Sequence, residues 1–122
     1  MERSVVIVDG ANVVGSVPDG WWRDRLGAAR RLRDLLVDHP LGQEADLVLV
    51  VEGAARGTEP VPGVRVEAAH GSGDDRIVEL TAEAAGRSVL VITSDRQLRE
   101  RVQALGAQVA GPRSVRGDRS SH

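Results

Sequence analysis

Apolar runs and amphipathic stretches alternate along this chain. Apolar runs typical of β-strands that are buried on both faces cover residues 4–8, 46–52 and 88–93. A further strand, with Arg65 and Glu67 among its apolar residues, is predicted over residues 64–69. Three stretches carry apolar residues at helical spacing, and they cover residues 20–39, 72–86 and 94–105. Residues 107–110 predict a short edge strand. Strands that alternate with helices in this way predict an α/β fold, in which helices cover a mostly parallel sheet of four to five strands.

Turn and cap residues separate these elements. Pro40 closes the first predicted helix, and the segment from Gly53 to Gly63, which is rich in Gly and Pro, is predicted to be a loop. Ser94 and Gln97 have the spacing of a capping box. This spacing predicts that Ser94 caps the last helix.

The composition indicates one small domain without cysteine chemistry. The chain has 122 residues, enough for one core; we assign residues 1–111 to this domain and expect the polar remainder, 112–122, to be a disordered tail. The absence of Cys excludes disulfides, thiolate ligands and cysteine nucleophiles. All 16 basic residues are Arg, and the formal net charge is −2. Arg binds phosphate bidentately, so this nearly neutral total is compatible with a basic groove around an acidic centre.

The N-terminal region shows no targeting or membrane signal. Its apolar run, residues 4–8, is too short for the core of a signal peptide and far too short to span a bilayer. We therefore expect a cytoplasmic protein that does not associate with membranes. Its small size leaves room for a homodimer, although the sequence carries no interface signature.

Four carboxylates are predicted to meet at one edge of the sheet. Asp9 ends the first strand, Asp74 and Asp75 begin the helix after the third strand, and Asp95 follows the fourth strand directly. Ligands of open parallel sheets bind beyond the carboxyl ends of the strands, where Asn12 adds a neutral amide. Two carboxylates at 4 Å repel each other by roughly 4 kcal/mol at an effective dielectric of about 20, so they require a cation or raised pKa values. Oxygen ligands without Cys favour Mg²⁺ or Mn²⁺ over zinc, and such ions typically act on phosphates.

A purely structural interpretation of the same acids stays open. Asp74 and Asp75 lie in the first turn of a helix, and Asp95 follows a predicted cap, so each can simply complement a helix dipole. Ser94 is first of all a helix cap. Asp9 is harder to explain in this way, because an acid at the end of an apolar strand has no evident capping role. The convergence of all four acids at one edge favours a functional site.

Several other side chains are candidates for contacts with a nucleic acid. The pair Trp21 and Trp22 can offer a stacking platform for single-stranded bases, although Trp22 is expected instead to anchor the helix on the sheet and Trp21 to cover a loop. Arg76 and Arg96 can reach a phosphate, or they can form exposed salt bridges with neighbouring acids. Asn12 can cap a turn instead of serving a site.

Three segments resemble the signature blocks of a nuclease family. In chain order they read VVIVDGANVVG, GSGDDRIVEL and VITSDRQLRERVQALGAQV. Their order and spacing are similar to those of NYN domains, the YacP-like and Regnase-like branch of the PIN-like ribonucleases. The resemblance implies a Rossmann-like three-layer α/β/α sandwich and a Mg²⁺-dependent ribonuclease that acts on RNA.

The resemblance also carries over to particular residues. The positions that match the family's catalytic blocks are Asp9, Asn12, Asp74, Asp75, Ser94 and Asp95. We expect the four acids to hold one or two Mg²⁺ or Mn²⁺ ions, and Asn12 and Ser94 to orient a water or the scissile phosphate. The side chains expected to contact RNA in addition are Arg76, Arg96 and Trp21.

Two positions depart from the family pattern. Arg99 stands where some members carry a further acid, which weakens the case for a second metal ion. Glu52 stands where many members have Asp, which is a conservative change. Arg99 favours the alternative of a catalytically weak or silent module that binds RNA or a protein.

Missing residues exclude three other α/β classes. A response-regulator receiver needs a Lys late in the domain, and this chain has no Lys. A Toprim-like domain needs an Asp-x-Asp after an acid such as Glu52, and none follows. A P-loop nucleotide-binding domain needs Gly-Lys-Ser/Thr, which is also missing. The leading prediction is therefore a metal-dependent endoribonuclease.

Overall fold

A computed structural model describes residues 3–116 of the chain. The strands are β1 Ser4–Asp9, β2 Ala45–Val51, β3 Val64–Ala68, β4 Val89–Ile92 and β5 Gln108–Ala110. The helices are α1 Gly10–Val14, α2 Arg25–Val37, α3 Gly73–Glu83, α4 Arg96–Gln103 and α5 Arg113–Arg116. Short 3₁₀ turns lie at Trp21–Arg23, Pro40–Gln43 and Gly53–Ala55. The predicted alternation of strands and helices is confirmed, and α1 and α5 are additions to it.

The five strands form one parallel sheet in the order β3-β2-β1-β4-β5. Ile7 of the central strand lies opposite Val48 on one side and Val91 on the other. The chain builds outward from β1 to β3 and then crosses back to the other side of β1. In open sheets a crevice forms where the strand order reverses, beyond the carboxyl ends of the strands. Here that crevice lies between β1 and β4.

Helices cover both faces of the sheet and make a sandwich of three layers. Because side chains alternate along a strand, Val8 and Ile7 of β1 face opposite layers. Val8 packs in one core cluster with Leu32 of α2. Ile7 packs in a second cluster with Ile77 of α3 and Leu98 of α4. The predicted α/β sandwich is confirmed, and all its strands are parallel.

The first predicted helix, residues 20–39, is divided in two. Gly20 has a positive φ of 85°, and the chain then makes the 3₁₀ turn Trp21–Arg23. Asp24 caps α2, and its side chain accepts a hydrogen bond of 2.9 Å from the backbone N–H of Gly27. An N-cap residue has a non-helical backbone, so a single helix cannot run through Asp24. Within residues 3–116, no helix is long and apolar enough to cross a membrane.

The predicted disordered tail begins with an ordered turn. Arg113–Arg116 form α5, and the backbone N–H groups of Val115 and Arg116 donate to the carbonyl of Pro112 at 3.1 and 3.0 Å. Val115 is only 3% exposed and packs into the α2 side of the core. The prediction of disorder was therefore wrong for 112–116, because a single apolar residue in a polar segment produces no period. The rest of the predicted tail, 117–122, lies outside the described residues.

Candidate functional site

Asp9 stands at the junction of β1 and α1, next to the crevice. It is the N-cap of α1, and its Oδ1 accepts a hydrogen bond of 3.4 Å from the backbone N–H of Asn12. Gly10 allows α1 to start this close to the sheet, because a Cβ there would lie 2.5 Å from the carbonyl oxygen of Val50. The sequence did not indicate a capping role for Asp9, since a helix of five residues is too short to show a period.

The environment of Asp9 makes its carboxylate hard to ionise. The residue is 4% exposed, and its Oδ2 accepts a hydrogen bond of 2.9 Å from the hydroxyl of Thr93. Burial raises the pKa of Asp9 from its ordinary 3.8 to about 6. The hydrogen bonds from Thr93 and Asn12 lower this pKa, whereas the charges of Asp74 and Glu52 raise it. Asp9 therefore changes its charge just below neutral pH.

Asn12 and Ser94 connect α1 to the turn between β4 and α4. The amide oxygen of Asn12 accepts hydrogen bonds from the backbone N–H of Ser94 at 2.9 Å and from its hydroxyl at 3.0 Å. Asp95, not Ser94, caps α4, and its Oδ1 accepts a hydrogen bond of 3.1 Å from the N–H of Leu98. The predicted cap at Ser94 was wrong by one residue, because Ser94 is engaged by Asn12.

The side chain of Thr93 connects Asp9 to Asp95. Its hydroxyl donates to Asp9 and accepts a hydrogen bond of 3.1 Å from the backbone N–H of Asp95. Thr93 is fully buried, and its carbonyl accepts a hydrogen bond of 2.8 Å from the Nε of Arg99. The guanidinium of Arg99 thus stabilises the β4–α4 turn, on which Asp95 stands.

The adjacent acids at the start of α3 have different surroundings. Ser72 caps this helix by accepting a hydrogen bond of 3.1 Å from the N–H of Asp74. Burial raises the pKa of the half-buried Asp74, and the charges of Asp95 and Glu52 add to the effect. Asp75, in contrast, is 68% exposed and forms a salt bridge of 3.0 Å with Arg101. Only Asp74 of the pair faces the other acids of the crevice.

The structure adds Glu52 and Thr93 to the residues expected at the site. Glu52 follows β2, and its carboxylate lies against the start of α3, where a Cβ at Gly73 would be 3.0 Å from Oε1. Its charge contributes to the raised pKa values of both Asp9 and Asp74. The positions of both residues at strand ends, like that of Asp9, could have suggested them.

The acids form an open crevice and not an assembled ligand set. Among residues 3–116, no three Asp, Glu or His side chains are close enough together to hold a metal ion as they stand. Thr93 nevertheless forms hydrogen bonds with both Asp9 and Asp95, and Glu52 lies against the start of α3, which carries Asp74. The side chains that the crevice brings together are Asp9, Asn12, Glu52, Asp74, Thr93, Ser94 and Asp95.

Two predicted arginine contacts differ in availability. Arg76 forms ion pairs with Glu67, Glu79 and Glu83 at 2.7, 3.0 and 3.4 Å. Of the two interpretations left open for Arg76, the structure therefore selects the salt bridges. Arg96 is exposed in the first turn of α4 and makes no ion pair with any residue in the described range 3–116.

The burial of the two tryptophans is the reverse of the expected one. Trp22 is 51% exposed, whereas Trp21 is half-buried and packs against the core on the α2 side. Their rings meet edge to face, with centroids 5.9 Å apart. The prediction that Trp22 anchors the helix was wrong, because the 3₁₀ turn rotates Trp21 inward.

The parallel strand order and the helices on both faces of the sheet define a Rossmann-like α/β/α sandwich. The chain matches no protein-family profile and no curated protein. Among solved structures it is similar to Rae1 (YacP) from Bacillus subtilis, with a TM-score of 0.74 and 19% identity over 93% of this chain and 71% of that one. A single-site mutant of Rae1 matches with a TM-score of 0.71 and 20% identity, over 91% of this chain and 70% of that one. The fold implied by the resemblance to YacP-like NYN domains is thereby confirmed.

Proposed function

We propose that this protein is a metal-dependent endoribonuclease that hydrolyses RNA phosphodiester bonds. The observation that supports this most is the convergence of Asp9, Asp74 and Asp95, from three separate segments, at the strand-order reversal of a Rae1-like sheet. A buried acid with a pKa near 6, surrounded by like charges, is costly to keep in a fold. A function that uses the charge explains why this cost is retained.

The donor chemistry of the crevice fits Mg²⁺ or Mn²⁺. The candidate ligands are carboxylate oxygens, which hard divalent cations prefer. Mg²⁺ usually keeps several waters and binds through one or two carboxylates and a substrate phosphate, so an open crevice is sufficient. Asp9, Asp74 and Asp95 would hold the ion directly or through water. When bound, it would offset the charge of the acids and polarise a phosphate.

The other side chains of the crevice would position the substrate. The oxygen of the Asn12 amide is occupied by Ser94, so its N–H₂ group is oriented as a donor for a phosphate oxygen. Arg96, which has no ion pair in the described part of the chain, would bind a neighbouring phosphate. A ligand role for Asp75 would require its ion pair with Arg101 to open.

The test is cleavage of labelled single-stranded and hairpin RNA by the purified protein with Mg²⁺, Mn²⁺ or EDTA. Asp9→Asn and Asp95→Asn are the site variants, and Asp34→Asn, an exposed acid on α2, is the matched control. Cleavage that requires the metal, disappears in both site variants and persists in the control is the expected result. Cleavage that survives Asp9→Asn, or that continues in EDTA, would overturn the proposal.

The second candidate function is RNA binding without efficient cleavage. Arg99 favours it, since a cation bonded to the β4–α4 turn occupies the position of a further family acid. The lack of a preassembled set of three ligands among residues 3–116 favours it too. Retention of the same RNA without any cleavage in Mg²⁺ or Mn²⁺ would select this function over the first.

A further inference from the structure

A cavity of about 330 Å³ opens beside the acidic crevice, between α1, α2 and the turn Gly53–Ala55. This volume lies in the range of pockets that hold small organic ligands. The side chains that line it include Ala11, Val14, Trp21, Arg25, Glu52 and Ala55. Most of its wall is apolar, and its charged groups are one Arg and one Glu.

Trp21 presents a fixed aromatic surface to this cavity. Its ring lies against α1, where a Cβ at Gly15 would be 3.7 Å from the indole, and it contacts the ring of Trp22 edge to face. The guanidinium of Arg25 lies 5.3 Å from the centroid of the Trp21 ring. The cavity thus combines two planar groups, an indole and a guanidinium, on which a flat ring can stack.

The cavity is contiguous with the crevice. Glu52 is part of its wall, and its charge also influences Asp9 and Asp74. Gly10, the residue after Asp9, lines it as well. A base in the cavity and a phosphate bound at the acids would therefore belong to neighbouring parts of the same strand.

We infer that this cavity binds one unpaired nucleobase of single-stranded RNA, next to the phosphate that the proposed function places in the crevice. An apolar wall and two planar groups match the faces of a base and leave a sugar or phosphate without partners. A base in a duplex cannot enter, because both its faces are stacked. Arg23 makes no ion pair with any residue in 3–116, so it is available to a flanking phosphate.

The two Trp residues of the chain allow a matched test. Trp22→Phe leaves Trp21 as the sole indole, and Trp21→Phe leaves Trp22. Each variant is titrated in EDTA with a single-stranded octamer of seven uridines and one central adenosine, and tryptophan emission reports binding. An octamer of the same length in which every position is abasic has the same charge but carries no base. Thermal unfolding of each variant confirms that it is folded.

The Trp22→Phe variant should show quenching of Trp21 by the intact octamer. Removing the Trp21 ring in a folded Trp21→Ala variant should weaken binding of the intact octamer by about 5-fold to more than 100-fold, the range found for one stacked base. The fully abasic octamer should lose at least as much affinity for the parent protein. Equal affinities of the parent protein for the intact octamer and for the fully abasic octamer would overturn the inference, and this comparison requires no variant. Strong quenching of Trp21 by a duplex that contains the octamer would overturn it too.

The result is distinguishable from the test of the ribonuclease proposal, on which the inference rests for the identity of its ligand. Base-dependent quenching in EDTA, together with no cleavage in Mg²⁺ or Mn²⁺, would support the cavity and overturn the nuclease. Metal-dependent cleavage with no contribution of Trp21 to binding would overturn only the cavity.

Discussion

Replacing Asp9 by Asn is expected to stabilise the folded protein above about pH 6. The native protein binds the Asp9 proton more tightly than the unfolded chain does, because burial raises the pKa from 3.8 to about 6. Between these two values the native state holds more protons, so the free energy of unfolding falls as the pH rises through this window. The free-energy cost of burying the ionised Asp9 carboxylate is absent below about pH 3.8 and fully present above about pH 6.

The size of the effect follows from the two pKa values. One pKa unit corresponds to roughly 1.4 kcal/mol, so the ionised carboxylate of Asp9 costs about 3 kcal/mol at neutral pH. The neutral amide avoids this cost but weakens one of the hydrogen bonds with Thr93 and Asn12, at about 1 kcal/mol. The free energy of unfolding of Asp9→Asn should therefore exceed that of the parent by about 2 kcal/mol at neutral pH. This difference raises the melting temperature by roughly 4 to 12 °C in a domain of this size.

The assay is thermal unfolding, followed by circular dichroism in EDTA from about pH 4 to about pH 8, for the parent, Asp9→Asn and the surface control Asp34→Asn. The difference between parent and Asp9→Asn should grow as the pH rises and level off above about pH 6. A difference that does not change with pH, or a variant less stable than the parent at about pH 8, would refute the account of a buried, destabilising carboxylate.

Three further predictions concern the ion, the buried hydroxyl and the last helix. Mg²⁺ or Mn²⁺ at about ten times its dissociation constant should stabilise the parent by roughly 1.4 kcal/mol, and it should not stabilise a variant that carries both Asp9→Asn and Asp95→Asn. Equal metal-induced shifts in melting temperature for the two proteins would contradict a metal site at these acids. Thr93→Val removes a hydrogen bond that lowers the pKa of Asp9, so the pH midpoint of any metal-dependent cleavage should move upward from that of the parent, and an unchanged midpoint would exclude Asp9 as the titrating group. Val115→Ala should cost about 1 to 3 kcal/mol in urea unfolding, whereas the exposed Ser114→Ala should cost little; equal effects would show that α5 is not docked on the core.

Much of the candidate site could be predicted because it depends on strand ends. Asp9 and Asp95 follow strands that the apolar runs identify, and parallel strands all end at the same edge of their sheet. The proximity of Asp9 and Asp74 therefore needed only the order of the elements. Glu52 obeys the same rule, and its position at the end of β2 was sufficient to include it.

The details that depend on orientation were not predictable in this way. Successive residues of a helix point about 100° apart, so Asp74 faces the crevice while Asp75 reaches Arg101 on α4. Arg76, another step along the same helix, is directed to Glu67 on β3. The sequence places all three side by side, and only the packing of α3 separates their surroundings.

The amino-acid sequence by itself determined the α/β architecture, the parallel sheet and the edge at which the acids gather, because the periods of apolar residues are local properties of the chain. The tertiary structure alone decided that Asp9 is buried against Thr93, that Trp21 and not Trp22 is turned inward, and that Val115 reaches the core. These features arise from contacts between residues far apart in the chain, whose packing a local pattern does not record.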